Sequence, residues 1–310
     1  MIRTTGTRPF ALLAGLLIAG SALAACGGDD GDPLSTGGAD DGAIVIGSAN
    51  FPESELLMQM YAQALEAKGV AVETKPNIGS REVYMGAFED GDINLLPEYN
   101  GALLAYLSGG TPPEGVTSPD DVYDALQEVL PEGSETLAQS EAEDKDTLTV
   151  TEATADEYDL ASIEDLAPVA GELVVGAGPE FQERYQGLVG LEDLYGVEFK
   201  EFKPLDAGGP LTVQALKKGD IDVANIFSTD SNISTAGWVV LEDPKDLFLA
   251  ENILPLILSE MVTDDVVAAL DGVSEALTTD NLTEALARVQ VDKDDPATVA
   301  KDFLAEHDLL

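Results

Sequence analysis

A short pattern occurs twice in this chain and constrains its fold more than any other feature. Ala87-Phe88-Glu89-Asp90-Gly91-Asp92-Ile93-Asn94 runs on through Leu95-Leu96-Pro97-Glu98 to Tyr99. Ala215-Leu216-Lys217-Lys218-Gly219-Asp220-Ile221-Asp222 runs on through Val223-Ala224-Asn225-Ile226 to Phe227. Each copy reads as a helix end, a glycine that stops it, a short buried strand, and an aromatic eight residues past the glycine. In open α/β sheets ligands bind beyond the carboxyl ends of the strands. An aromatic delivered there by each half predicts two similar lobes facing one another across a cleft.

The chain around these copies has the same order. Ile44-Val45-Ile46-Gly47 is a buried strand, and Asn50 stands as N-cap before Pro52 and a capping-box Glu53. The helix that follows puts Leu56, Leu57, Met60, Tyr61, Ala64 and Leu65 on one face. Strands at Val70 to Glu73 and Ile93 to Leu96, with a helix from Ser80 between them, complete β-α-β-α-β. A second such series runs through Leu173 to Gly176, Val197 to Phe202, Leu211 to Lys218 and Ile221 to Ile226. Strands at Leu148 to Thr151 and Trp238 to Leu241, and three terminal helices, fill the rest. The second series lies inside the first, so the expectation is an α/β, type II clamshell of two doubly wound lobes joined by a two-strand hinge. Lobe 1 takes 43–143 plus 254–310 and lobe 2 takes 144–253, with Trp238 in the core.

The first 25 residues read as a secretion signal: Arg3 and Arg8, an apolar stretch from Phe10 to Ala19, then Leu23-Ala24-Ala25-Cys26. That last tetrapeptide matches a bacterial lipobox, and Cys26 is the chain's single cysteine. The expected product is a lipoprotein anchored through Cys26 to the outer side of the cell membrane, with the Gly- and Asp-rich stretch 26–42 as tether. One cysteine permits no intrachain disulfide, and one histidine, His307, argues against His-based triads and His-rich zinc sites. No cofactor and no metal are expected.

Fifty-nine acidic residues against 15 basic ones give a formal charge of −44. That balance excludes nucleic acid as a partner, because phosphate binding needs the opposite sign. Adaptation to high salt and plain acidity of an exported protein both account for it.

Five segments then resemble one known family. They are Ile46-Gly47-Ser48-Ala49-Asn50-Phe51-Pro52-Glu53, Gly91 through Pro97-Glu98-Tyr99-Asn100-Gly101, and Gly176 through Pro179-Glu180-Phe181-Gln182-Glu183-Arg184. The others are Gly219 through Phe227-Ser228-Thr229-Asp230, and Ala300-Lys301-Asp302-Phe303-Leu304. Together they are similar to the substrate-binding proteins of ABC importers for glycine betaine, choline and carnitine. The resemblance implies a non-enzymatic, monomeric receptor that delivers an osmolyte to a permease with a separate ATPase. It also implies a cage of rings for the quaternary ammonium, which cannot donate hydrogen bonds.

On that resemblance Tyr99 and Phe227 are cage rings and Arg184 grips the ligand carboxylate. Asn50, Phe51, Asn100, Ser228 and Thr229 join them as ligand-contact candidates. Ala49 and Ala102 replace polar family positions, Asp146 falls where a further cage tyrosine is expected, and Phe202 is the nearest ring to another. Either a carboxylate such as Asp146 answers the cation, or the ligand is a larger apolar, aromatic or non-betaine compound. A clamshell enzyme using a carboxylate pair is the remaining alternative.

Overall fold

The computed structural model describes residues 42–113 and 115–310. The expected leader 1–25, Cys26 and nearly all of the tether lie outside the described residues. Among the described residues, ten strands form two five-stranded sheets. The first sheet uses β1 (Ile44–Ala49), β2 (Val72–Gly79), β3 (Leu95–Tyr99) and β4 (Ser134–Thr136). The second uses β5 (Asp146–Val150), β6 (Val174–Ala177), β7 (Glu201–Pro204), β8 (Val223–Phe227) and β9 (Val239–Val240). The chain then returns to the first sheet as β10 (Ile253–Leu258). The orders are β2-β1-β3-β10-β4 and β7-β6-β8-β5-β9, so the two sheets have one topology.

β1 is buried at all six positions and runs parallel to both neighbours, as a strand covered on both faces must. One covering layer centres on α1 (Pro52–Ala67), whose Leu56, Met60 and Leu65 pack with Leu270, Phe303 and Leu304 of the terminal helices. The opposite layer holds α2 (Arg81–Glu89) and α3 (Asn100–Leu107), with Tyr84, Phe88 and Leu103 against Val122 and Leu126. The second sheet is covered likewise, by Leu191 and Tyr195 on one side and by Val213, Leu216 and Trp238 on the other.

The repeated pattern has the geometry that its residues dictate. Gly91 and Gly219 take φ of +76° and +71°, a left-handed turn that releases each helix into its strand. Both strands carry their aromatic at the last position, Tyr99 in β3 and Phe227 in β8. Each is paired antiparallel with a strand that enters from the other sheet: Tyr99 opposes Ile253 and Phe227 opposes Asp146. The two connecting segments lie side by side, with Glu143 bridged to Asn252 and the Asp144 N–H donating to the Glu251 carbonyl at 3.1 Å.

The sheets are therefore mixed rather than wholly parallel. A segment arriving from the cleft starts at the carboxyl ends of its new neighbours, so it must run against them. Sequence spacing also set β2 and β7 too early: they occupy Val72–Gly79 and Glu201–Pro204. It gave no sign of β4, whose Ser-Glu-Thr carries no apolar pattern and is held by pairing with Leu256 to Leu258.

Candidate functional site

Three rings meet at the floor of the groove between the sheets. Phe51 precedes α1, Tyr99 ends β3, and Phe227 ends β8. Phe51 lies 5.9 Å from Tyr99 and 5.0 Å from Phe227, centroid to centroid, in tilted arrangements. Phe227 thus reaches from the second sheet to a ring of the first. Gly208, at φ +60°, leaves the space: a Cβ there would stand 2.8 Å from the Phe227 ring. The rings border a cavity of about 60 Å³ that opens to solvent, which Asn50, Arg81, Tyr84, Asp146, Arg184 and Glu251 also line.

Both arginines on the cavity wall are held by glutamates. Arg81 donates from Nε and Nη2 to Glu98, the latter bond 2.8 Å long, and the Tyr84 hydroxyl adds a 2.7 Å bond to Glu98. Glu98 is fully buried and Arg81 is 8% exposed. Burial alone would lower the Arg81 pKa, yet the Glu98 charge outweighs it and holds Arg81 firmly protonated. Arg184 donates from Nε and Nη2 to Glu82 of α2 at 2.8 and 3.0 Å, joining the two lobes across the groove. Partial burial pushes Glu82 up, but hydrogen bonds from Arg184 and Ser80, with the Arg184 charge, bring it down to about 2.

Beneath the rings lies a second crossing of the groove. Glu53 of α1 accepts from the Tyr99 hydroxyl at 2.7 Å and from the Thr229 hydroxyl at 2.6 Å. The Thr229 oxygen also stands 2.9 Å from Asp144, which accepts from the Thr229 N–H at 3.0 Å. Burial raises both Glu53 and Asp144; the Glu53 charge raises Asp144 further, and the Asp230 charge does the same for Glu53 against the hydrogen bonds that lower it. The pair holds a proton that two exposed carboxylates would release.

Six of the nine expected contact residues line the cavity: Asn50, Phe51, Tyr99, Asp146, Arg184 and Phe227. Three do not. Asn100 is buried behind the wall, accepting from the Asn252 N–H at 2.9 Å and donating to Gln139 at 3.0 Å, so it fixes the crossing strand. Ser228 accepts from the Lys145 N–H at 2.8 Å and donates to Asp144 at 3.3 Å. Thr229 is consumed by the Glu53–Asp144 pair. Asn50 is not the N-cap of α1; that position belongs to Phe51, which makes no side-chain cap bond, and Glu53 turns inward instead of closing a capping box. Phe202 packs against the core of its own sheet.

Glu251 and Asp144 line the cavity without having been foreseen. For Glu251 a signal existed: it is a lone charge within Phe248-Leu249-Ala250-Glu251-Asn252-Ile253-Leu254, an apolar run that had to be buried.

With this geometry in view, comparison with known proteins decides the family. A profile described as the substrate binding domain of ABC-type glycine betaine transport system, OpuAC, matches residues 42–306. The chain belongs to this family. OpuAC domains are the substrate-binding components of ABC-type transport systems. The chain is 28% identical over 279 residues to the glycine-betaine-binding protein of Pseudomonas aeruginosa, covering 86% of this chain and 88% of that one. It is also 28% identical over 286 residues to the carnitine transport binding protein OpuCC of Listeria monocytogenes, covering 87% and 89%. A crystal structure titled as a glycine betaine/carnitine/choline ABC transporter shares the fold, with a TM-score of 0.67 at 23% identity over 86% of this chain and 99% of that one. No described helix of this OpuAC protein is long and apolar enough to cross a membrane.

Proposed function

We propose that this OpuAC protein captures a quaternary-ammonium osmolyte of the glycine betaine, carnitine and choline class between its two lobes. The observation that carries the reading is the contact of Phe51, itself against Tyr99, with Phe227 from the opposite sheet. A trimethylammonium group offers no hydrogen bond, so ring faces and dispersion are what can hold it, and desolvation strengthens that attraction. Phe51, Tyr99, Phe227 and Asp146 are the proposed contacts to the cationic head, with Asn50 and Arg184 at the rim.

Closure would be fastened at three places: the Arg184–Glu82 pair, the Thr229–Glu53 bond and the Phe51–Phe227 contact. The hinge would be the paired segments at Glu143 and Asn252, giving lobe 1 as 43–143 plus 254–310 and lobe 2 as 144–253. The closed form would then dock as a monomer on a permease driven by a separate ATPase, with the chain tied to the membrane by lipid on Cys26. No step of the cycle makes or breaks a covalent bond in the solute.

Calorimetric titration with glycine betaine, carnitine and choline tests the ligand class. Saturable binding of at least one of them is expected, and silence with all three rejects the osmolyte. Cys26→Ser should move the protein from the membrane fraction to the soluble fraction; retention in membranes rejects the anchor.

A further inference from the structure

Acidic side chains outnumber basic ones on the cavity wall. Asp144, Asp146, Glu180 and Glu251 border it, against Arg81 and Arg184, and each arginine already faces its own glutamate. Glu251 stands apart within this set. It is 2% exposed, and its Oε2 accepts from the Ala102 N–H at 2.9 Å. Its Oε1 is buried with no hydrogen-bond partner. A buried carboxyl oxygen without a partner forgoes a contact that a bound molecule can supply.

We propose that Glu251 is the counter-ion of the captured solute and sets its charge class: the cleft prefers a monocationic quaternary ammonium bearing a hydroxyl over a zwitterion that brings its own carboxylate. The inference rests on the quaternary-ammonium reading given above. A cation beside Glu251 is attracted at short range in a site that water leaves on closure. A hydroxyl on the same solute can donate to Oε1. A solute carboxylate would instead have to lie among Asp146, Glu180 and Glu251, with only the outward guanidinium edges to meet it. The net charge of −44 acts in the same direction at long range, favouring the approach of cations.

The proton balance gives the proposal a readout of its own. Burial raises Glu251 to about 8, aided by the charges of Asp146 and Glu98 and opposed by the Ala102 N–H and by Arg81. With the cleft empty, Glu251 holds its proton at neutral pH. An arriving cation favours the carboxylate, so the O–H bond breaks and the proton passes to the buffer. Cation affinity therefore rises with pH up to about 8 and levels off above it. A zwitterion whose carboxylate accepted the Glu251 proton would show the reverse slope, since deprotonation would remove that donor.

The experiment is calorimetry of the mature protein with choline, glycine betaine and carnitine at constant ionic strength, near about pH 6 and about pH 8.5, in two buffers of different ionisation enthalpy. Choline is expected to bind at least about tenfold more tightly than glycine betaine at the higher pH, a difference of about 1.4 kcal/mol. Its affinity should climb by up to about tenfold per pH unit below the Glu251 pKa, with one proton released on binding. Glu251→Gln, checked for folding by its melting curve, should abolish the proton release and erase most of the preference. Glycine betaine binding as tightly as choline, with no proton release in the unmutated protein, overturns the proposal and leaves the osmolyte reading standing. So does a Glu251→Gln protein that keeps both the preference and the proton count. Silence with all three solutes overturns both.

Discussion

Two arginine–glutamate pairs flank the cleft, and they differ in what they join. Arg81 and Glu98 both belong to the first lobe, on α2 and β3, with side chains 9% and 0% exposed. Arg184 and Glu82 belong to opposite lobes, with side chains 29% and 44% exposed. The first pair sits in low dielectric, where each charge depends on the other; the second is partly solvated, so each charge is more tolerable alone. Burial makes the inner pair part of the fold, whereas partial exposure lets the outer pair break at low cost. Arg81 and Glu82 are consecutive in the chain, yet the helix turns one of them inward and leaves the other on the rim.

Four measurements would break or sharpen that contrast. The largest effect is expected from Glu98→Ala, which strands the Arg81 charge and the Tyr84 hydroxyl: a loss of about 3–5 kcal/mol in denaturant unfolding. A loss below about 1 kcal/mol would show that water reaches Arg81 and would erase the distinction.

Next comes pH. Glu251 is raised to about 8, and Glu53 and Asp144 are raised with it, from ordinary values of 4.5, 4.5 and 3.8. Between those values and the raised ones the folded state binds more protons than the unfolded chain, so stability falls as pH rises. The empty protein should lose melting temperature from the mildly acidic range toward pH 8. Glu82 has the opposite sign. Depressed to about 2, it contributes above its ordinary 4.5, and that contribution disappears as pH falls toward 2. A melting temperature that rises steadily from pH 5 to pH 8 would contradict the buried protons.

Phe227→Ala removes the ring that crosses the groove. Osmolyte affinity should weaken by about 2 kcal/mol, roughly thirtyfold, with the overall fold retained. An unchanged affinity would leave Phe227 as packing only. Smallest is Arg184→Gln: stability within about 1 kcal/mol of the parent and affinity lower by at most about fivefold, since one exposed fastening is lost. If Arg184→Gln cost as much as Glu98→Ala, the exposed pair would be as structural as the buried one.

The same division runs through what could be read in advance. Apolar runs and glycine stops marked the two series, because strand burial and left-handed turns depend on a few neighbouring residues. Tyr99 and Phe227 were legible as facing rings because the repeat fixed their place at equivalent strand ends. Asn50 was misread as a cap because it has the right chemistry one residue too early; the first helical turn begins after Phe51. Asn100, Ser228 and Thr229 sit beside the correct residues in sequence, but side chains alternate around a strand end, and these three turn to the crossing segments instead of the cavity.

By itself, then, the sequence determined two α/β series of one design, each ending a strand with an aromatic, in a chain of strong negative charge. Local burial and turn chemistry suffice for that much. Tertiary structure alone decided that Arg184 would spend its fork on Glu82, that Glu53 and Asp144 would be buried around one threonine hydroxyl, and that Glu251 would line the cavity with an unpartnered oxygen. Those outcomes depend on groups far apart in the chain meeting where water is scarce, and no short stretch of sequence encodes such a meeting.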